Sequence, residues 1–364
     1  MMWINLGPSR AVMHAVANRD AMRQGTRIAV PEDAVTGKTR IGIGAITRRR
    51  PQMFSDLLDS FAWMRVPEGV ELVYLFAEND DETTMTGIVE GFAERTGAET
   101  YLELETRQGI PMARNRVLDM ALADGCDFLT FVDDDETVDR DWLVQLYDTI
   151  SGEELDLVGG PVRYQPPQGS VLSRENRAVL DVVQGRSGRD HAKRSERART
   201  HEGHRVAVYT NNWIARLSRV RELGVRFDEA ARFTGGSDTK FYKDFREAGG
   251  RTGWAPGAYV CETRPLSRLT YRYYYERCRD QEMTRLGRKD AKPSALGAYA
   301  VYLYALLRSA LYLAKSPFTA GRGKARAMRV MGQASARVGY LRGRQSDHYD
   351  PSRAHLHEDP QGKG

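Results

Sequence analysis

The chain has 364 residues, with 41% hydrophobic and 28% charged, the balance of a soluble globular protein of one large domain or two modest ones. Its three cysteines, Cys126, Cys261 and Cys278, lie far apart and form no CxxC pair, which excludes a disulfide framework and fits a reducing compartment. The net charge of +5 is modest but uneven. Residues 315–344 hold eight Lys or Arg and no acid, and 186–205 is a second basic stretch, so partners bearing phosphate are expected.

The N-terminus has no sustained apolar core and no small-residue cleavage site, so residues 1–38 read as a loosely ordered leader without a signal peptide. Arg40–Ile46 (RIGIGAI) is the first strong strand, and the basic turn Thr47-Arg48-Arg49-Arg50-Pro51 follows. Leu57, Leu58, Phe61 and Met64 then recur at helical spacing. Glu71–Ala77 is a second strand ending in the acidic turn at Glu78, and a helix carries Ile88, Val89 and Phe92. Tyr101–Leu104 is a short strand. Gly109–Ala123 is a helix with Pro111 in its first turn, a favoured place for proline. Residues 39–135 thus alternate strand and helix, which predicts a parallel sheet covered on both faces.

Phe128–Val132 is a short apolar strand, and Asp133, Asp134, Asp135 and Glu136 follow it without interruption. Adjacent carboxylates repel, and burying them is costly unless they are paired or bound to metal. Two readings of this run weigh about equally by themselves. One is a solvated acidic turn ahead of the helix that starts near Trp142. The other is a site for a hard divalent cation, which takes oxygen ligands and shares them with phosphates. Ligands of open α/β sheets do bind at the carboxyl ends of strands.

Beyond residue 155 the pattern changes. Leu157–Val162 is a strand, and a polar segment spans about 165–205, read as a mobile flap or a contact for an anionic acceptor. His191, His201 and His204 fall in it, but with no cysteine near, zinc is not expected there. Val206–Ala215 is apolar. Gly235-Gly236-Ser237-Asp238-Thr239 precedes a helix ending at Ala248. A carboxylate near a helix N-terminus is stabilised as the anion, so Asp238 reads either as a plain helix cap or as a proton acceptor. Trp254–Glu262 is expected as a strand. Arg268–Leu286 is a helix whose tyrosines 271, 273, 274 and 275 read as core packing. Ala295–Ala314 is apolar around a single charge, Arg308, and carries four tyrosines. With the basic, periodically apolar Arg322–Arg344 it reads as a pair of helices on an anionic membrane surface, ahead of a pair simply packed on the catalytic domain and of a full span. Residues 346–364 read as a disordered tail.

The order of these motifs is more specific than any one of them. A strand ending at Thr47, a second at Glu78, then Ala113-Arg114-Asn115, Asp133-Asp134-Asp135, Thr210-Asn211-Asn212 and Gly235-Gly236-Ser237-Asp238 together resemble the family 2 glycosyltransferases. Members similar to the succinoglycan glucosyltransferases of bacterial polysaccharide synthesis look closest, over about 40–280. The resemblance implies a GT-A fold at 39–290, α/β with a mostly parallel central sheet flanked by helices, and a helical extension at 291–345. It implies a hexosyltransferase-type enzyme that inverts the anomeric centre and uses Mg²⁺ or Mn²⁺. Thr47, Glu78, Arg114, Asn115, Asp133 and Asp134 would contact the nucleotide sugar, Glu78 standing where the family usually has a base-reading aspartate. Asp135, with Asp133, would bind the metal, and Asp238 would be the catalytic base. Asn212, Gly236 and Ser237 would face the acceptor, with Ser237 where the family commonly has glutamate. No QxxRW motif follows, which argues for transfer of single sugars.

A nucleotide-sugar donor, probed first as a UDP-sugar, and a lipid-linked or polysaccharide acceptor are the expected partners, met at the inner face of the cell membrane, with no nucleic acid. A nucleotidyltransferase of similar fold loses ground because Thr47–Arg50 contains no glycine. A nucleic-acid or anionic-polymer binding protein would not need DDD and GGSD in this order.

Overall fold

The computed structural model describes residues 37–200, 206–232, 236–287 and 293–344. The leader before residue 37, the tail from 345, His201, His204 and Gly235 lie outside the described residues.

β1 (Thr39–Thr47), β2 (Val70–Glu78), β3 (Glu99–Leu104) and β4 (Phe128–Asp133) alternate with α1 (Pro51–Trp63), α2 (Thr86–Thr96) and α3 (Ile110–Ala123). The short β5 (Glu136–Val138) leads into α4 (Trp142–Gly152), and β6 (Leu157–Gly159) and β7 (Val162–Gln165) follow. Next come α5 (Arg174–Ala198), β8 (Asn212–Arg216), α6 (Leu217–Leu223) and α7 (Ser237–Glu247). β9 (Thr252–Trp254), β10 (Val260–Thr263), α8 (Tyr271–Gly287), α9 (Ala295–Ala314) and α10 (Arg322–Leu341) complete the order.

The main sheet has seven strands in the order β3-β2-β1-β4-β8-β6-β9, and a three-stranded sheet runs β5-β10-β7. β8 is antiparallel to both its neighbours, and the other pairings of the main sheet are parallel. Helices cover both faces because β1 alternates. Ile41, Ile43 and Ala45 pack toward α1, α2 and α4, where Phe54, Phe61, Phe92 and Trp142 are buried. The opposite face meets α3, α6 and α7 through Val117, Val220, Phe241 and Phe245. Gly42 and Gly44 leave room for that second layer. A Cβ at Gly44 would stand 2.8 Å from the Thr130 carbonyl oxygen and 2.8 Å from Val117 Cγ1.

Two expectations are corrected. Among the described residues, 165–200 is not a loop, since most of it is the 25-residue helix α5. Ser173 accepts from the Asn176 N–H and Asn176 reciprocates, a capping box that starts the helix. Val179, Leu180, Val182 and Val183 then supply an apolar face. Trp254–Glu262 is not one strand, because a turn at 255–259 separates β9 from β10 and sends them into different sheets. The helix expected at 322–344 forms, with one face packed on its neighbours and Arg322, Lys324 and Arg326 exposed. α10 is packed between α8 and α9, with Ala325, Ala327, Gly332, Ala334 and Ala336 buried. Small residues permit that approach, for a Cβ on Gly332 would come within 2.5 Å of the Tyr275 carbonyl oxygen.

The β1–α3 contact yields a stability prediction. Gly44→Ala places its methyl against backbone that cannot retreat without breaking the β1–β4 ladder. It should cost about 1–3 kcal/mol, read as a lower chemical-denaturation midpoint with an unchanged m-value.

Candidate active site

A cavity of about 860 Å³ opens at the carboxyl ends of β1 and β4. Thr47, Asn79, Arg114 and Asp133 to Asp135 line one side of it. α5, α8 and the 209–211 segment form the other. The parallel register explains the placement, since Ile46 pairs with Asp133 and both strands end at one edge.

Each carboxylate of the run meets a different neighbour. Asp133 accepts from Arg114 Nη2 at 3.0 Å. Asp134 accepts from Thr47 Oγ1 at 3.0 Å and from Arg50 Nη1 at 2.8 Å. The Asp135 carboxylate lies 3.6 Å from Arg50 and 3.5 Å from Arg268. Glu136 accepts from the Asp133 N–H at 3.1 Å and from Asn211 Nδ2 at 2.8 Å. Glu136 is therefore not the start of a solvated turn. It is buried and tethers the acidic strand end to the 209–211 segment.

Burial and mutual repulsion govern the electrostatics. Desolvation, then the Asp135 and Asp134 charges, push the Asp133 carboxyl up to about 6 despite the opposing Arg114. Its side chain is 38% exposed, and that surface faces the cavity beside the other two aspartates. Desolvation also raises Asp134 against the pull of Arg50. Glu136 is pushed well above the usual carboxylate range by burial and by Asp133, Asp135 and Glu262. Arg50 is held more firmly protonated by Asp134.

The remaining expected site residues divide. Thr47 and Arg114 stand in the cavity wall with the three aspartates. Glu78 does not line the cavity. It is fully buried, and its carboxylate accepts from the Thr84 N–H, the Thr84 hydroxyl and the Met85 N–H, so it caps the turn before α2 instead of reaching a base. Asn115 is turned inward as well, bonding both backbone groups of Phe227. Asn212 does not face an acceptor. Its Nδ2 donates to Pro161 O and Ala258 O, and its Oδ1 accepts from Trp142 Nε1. The neighbouring Asn211 lines the cavity in its place.

Gly236, Ser237 and Asp238 open α7, with Gly236 as its left-handed cap at φ 81°. None of the three lines the cavity, although Arg232, four residues earlier than Gly236, does. α7 packs by Phe241 on Trp213 and Phe227, and Trp213 stacks on Phe131. Asp238 lies three residues before Phe241, in the first turn of α7. Its Oδ1 accepts from the Thr239 N–H at 2.7 Å.

No group of three His, Cys, Asp or Glu side chains is preassembled for a metal among the described residues. Asp133 and Asp135 still fit a hard divalent cation, which commonly takes one or two carboxylates and completes its shell with phosphate and water. The crowding that raises Asp133 is the charge excess such an ion relieves.

Arg50, Arg268, Glu136 and Asn211 were not expected in the site from the sequence. Arg50 stood out only as part of a basic turn, and Arg268 lies 133 residues from Asp135. His191 on α5 accepts at Nε2 from the Val162 N–H at 3.3 Å. Burial and Arg194 push this imidazole down to about 4.

The raised carboxyls make stability depend on pH. A carboxyl raised in the folded state destabilises the fold once ionised, above about pH 6, and ceases to do so below its unfolded value near 4. Asp133→Asn should therefore melt a few degrees higher than wild type at pH 7.5, the difference closing by about pH 4. Glu136→Gln should keep or raise the melting temperature at pH 7.5. Glu136→Ala should lower stability by about 1–3 kcal/mol, because the Asp133 N–H and Asn211 lose their partner.

A profile described as Glycosyl transferase family 2 matches residues 74–217. The succinoglycan biosynthesis protein ExoM of Rhizobium meliloti (strain 1021) is 33% identical over 239 residues, 65% of this chain and 71% of that protein. A mannosyltransferase, PcManGT from Pyrobaculum calidifontis, solved in complex with GDP-Man and Mn²⁺, superposes with a TM-score of 0.53 at 15% identity, covering 92% of this chain and 96% of that one. The likeness establishes the GT-A fold expected from the motifs. With its acidic strand end opening on the cavity and a third of its aligned residues shared with the rhizobial protein, the chain belongs to the family 2 glycosyltransferases.

Proposed function

We propose that this glycosyltransferase moves one sugar, with inversion and with Mg²⁺ or Mn²⁺, from a nucleotide-sugar donor to a lipid-linked or polysaccharide acceptor in bacterial surface polysaccharide synthesis. The observation that carries this reading is the cluster of three aspartates facing the cavity at the end of β4, backed by Thr47, Arg50 and Arg114. Family membership, the rhizobial relative and the GDP-Man and Mn²⁺ of the archaeal fold neighbour support it. They also favour sugar transfer over nucleotidyl transfer or nucleic-acid binding. UDP is the first nucleotide to test. With Glu78 sequestered, the base must be read by other groups.

Asp135, with Asp133, would hold the cation, which when bound neutralises charge on the leaving diphosphate. Thr47 and Arg50 hold Asp134 rigid, and Arg114 holds Asp133. Asp238, in the first turn of α7, accepts the proton of the acceptor hydroxyl. The acceptor oxygen bonds to the anomeric carbon as the bond to the donor phosphate oxygen breaks on the opposite face. The nucleotide diphosphate leaves with that electron pair, and the anomeric centre inverts.

α9 supports a site at the membrane. It is 20 residues long, apolar enough to span a bilayer, and little buried. Leu296, Leu303, Leu307 and Leu311 are exposed along it. A full crossing is disfavoured because α10, which packs along α9, would carry Arg322, Lys324, Arg326 and Arg329 into hydrocarbon. An interfacial position buries the leucines and leaves those cations near anionic headgroups.

Three outcomes test this reading. A thermal-shift screen of nucleotide sugars with Mn²⁺ should give one stabilising donor, and Asp135→Asn should abolish the metal dependence of that shift. Asp238→Asn should lower transfer by about 10²-fold or more while donor binding persists; undiminished transfer would remove Asp238 as the base. Leu307→Glu with Leu311→Glu should free the protein from anionic liposomes in co-sedimentation without altering donor binding. This pair is preferable to deleting 315–364, which would strip α10 from α8.

A further inference from the structure

The cavity is far more cationic than its aspartates require. Among the described residues, ten arginines and five carboxylates line it. Those near β4 are engaged with acids: Arg50 and Arg268 with Asp134 and Asp135, Arg114 with Asp133, and Arg49 with Asp80. The opposite wall differs. Arg194 of α5 lies over the Tyr209 ring at 4.6 Å and the Trp254 ring at 4.9 Å, and it pairs with no carboxylate among the described residues. Arg264 stands over Tyr164 at 3.9 Å and shares Glu262 at 2.8 Å. Arg186 approaches Asp190 only to 3.9 Å.

This wall is built rigidly. Gln184 Nε2 donates to Tyr164 O at 2.6 Å, and Ser187 Oγ donates to Val162 O at 3.0 Å. His191 accepts from the Val162 N–H. Three successive turns of α5 are thereby fastened to β7, which fixes the height of Arg194 above Trp254. A guanidinium stacked between rings keeps its N–H edge directed outward and has less conformational freedom to lose on binding. Its fork suits a phosphate or carboxylate.

Position separates this wall from the metal end. Trp254 is on β9, three strands from β4 in the order β4-β8-β6-β9. At about 4.8 Å per strand, Trp254 and the Arg194 above it stand roughly 14 Å from β4, too far for one diphosphate to bridge, while Arg264 lies nearer, next to Thr263, whose N–H donates to Asp135 O at 2.8 Å.

We propose that Arg194 forms a second anion subsite, which binds an oxyanion carried by the acceptor. The site deepens the function proposed above and rests on it for the word acceptor. The oxyanion has two sources with the same chemistry: a phosphate joining the acceptor sugar to a lipid, or a carboxylate on the sugar itself. In either case, the subsite anchors the acceptor while its hydroxyl is presented toward the aspartate end of the cavity.

The test uses the full chain saturated with Mn²⁺ and the nucleoside diphosphate found in the donor screen. Calorimetry then measures hexyl diphosphate, hexyl β-glucuronide and neutral hexyl β-glucoside. At least one anionic probe should bind about tenfold or more tighter than the glucoside. Preference for the diphosphate assigns the oxyanion to the linker, and preference for the glucuronide assigns it to the sugar. Arg194→Met should remove the preference, Arg194→Lys should keep part of it, and neither should alter nucleoside diphosphate affinity or melting temperature by more than a small margin. Equal binding of all three probes, or a preference unchanged in Arg194→Met, overturns the subsite. Failure of any nucleotide to bind at all would count against the donor reading instead.

Discussion

The structure depends on holding four consecutive carboxylates at one strand end. Repulsion within Asp133–Glu136 would spread this segment into solvent if nothing opposed it. Opposition comes from every side: Arg50 and Thr47 from the β1–α1 turn, Arg114 from α3, Arg268 ahead of α8, and Asn211 ahead of β8. These partners are spread from residue 47 to residue 268, so the acidic cluster ties both halves of the chain together. The compensation is incomplete, as the raised Asp133 and Glu136 carboxyls show. That residual strain is the kind found where a fold keeps charge ready for a ligand.

Around this centre, polar side chains that look functional turn out to brace the frame. Asn212 joins α4 to two turns, Asn115 pins the Phe227 segment, and Glu78 closes the turn before α2. Each is buried, and each satisfies backbone groups that no secondary structure serves. The same need for satisfied groups makes them unavailable to substrate. Their work is to set the walls against which Thr47, Arg114 and the aspartates stand.

The cavity joins two unlike ends. The β4 end balances arginines against aspartates, and the α5 end holds a guanidinium against aromatic rings. α8 contributes Arg277 and Tyr273 to the cavity and packs through α10 toward α9. α8 and α10 therefore stand between the cavity and the exposed leucines of α9.

Local pattern was sufficient for much of this. β1 to β4 and their helices follow from apolar periodicity and sequence order, and the parallel sheet follows from their alternation. Asp133–Asp135 were legible as a site only with the order of motifs around them, since the costly charge run alone left a solvated turn equally open. α5 was not, since its second half is polar all round and its start rests on the Ser173–Asn176 cap, a weak signal beside glycines and charges. Glu136, Arg50, Arg268 and Arg194 depended on partners distant in sequence, and Glu78, Asn115 and Asn212 faced inward for the same reason. Which way a polar side chain points is set by unpaired backbone groups that only meet it on folding. The sequence by itself therefore determined β1 to β4 with their helices, the family and the acidic end of the site, while tertiary packing alone decided which of the polar residues face the cavity.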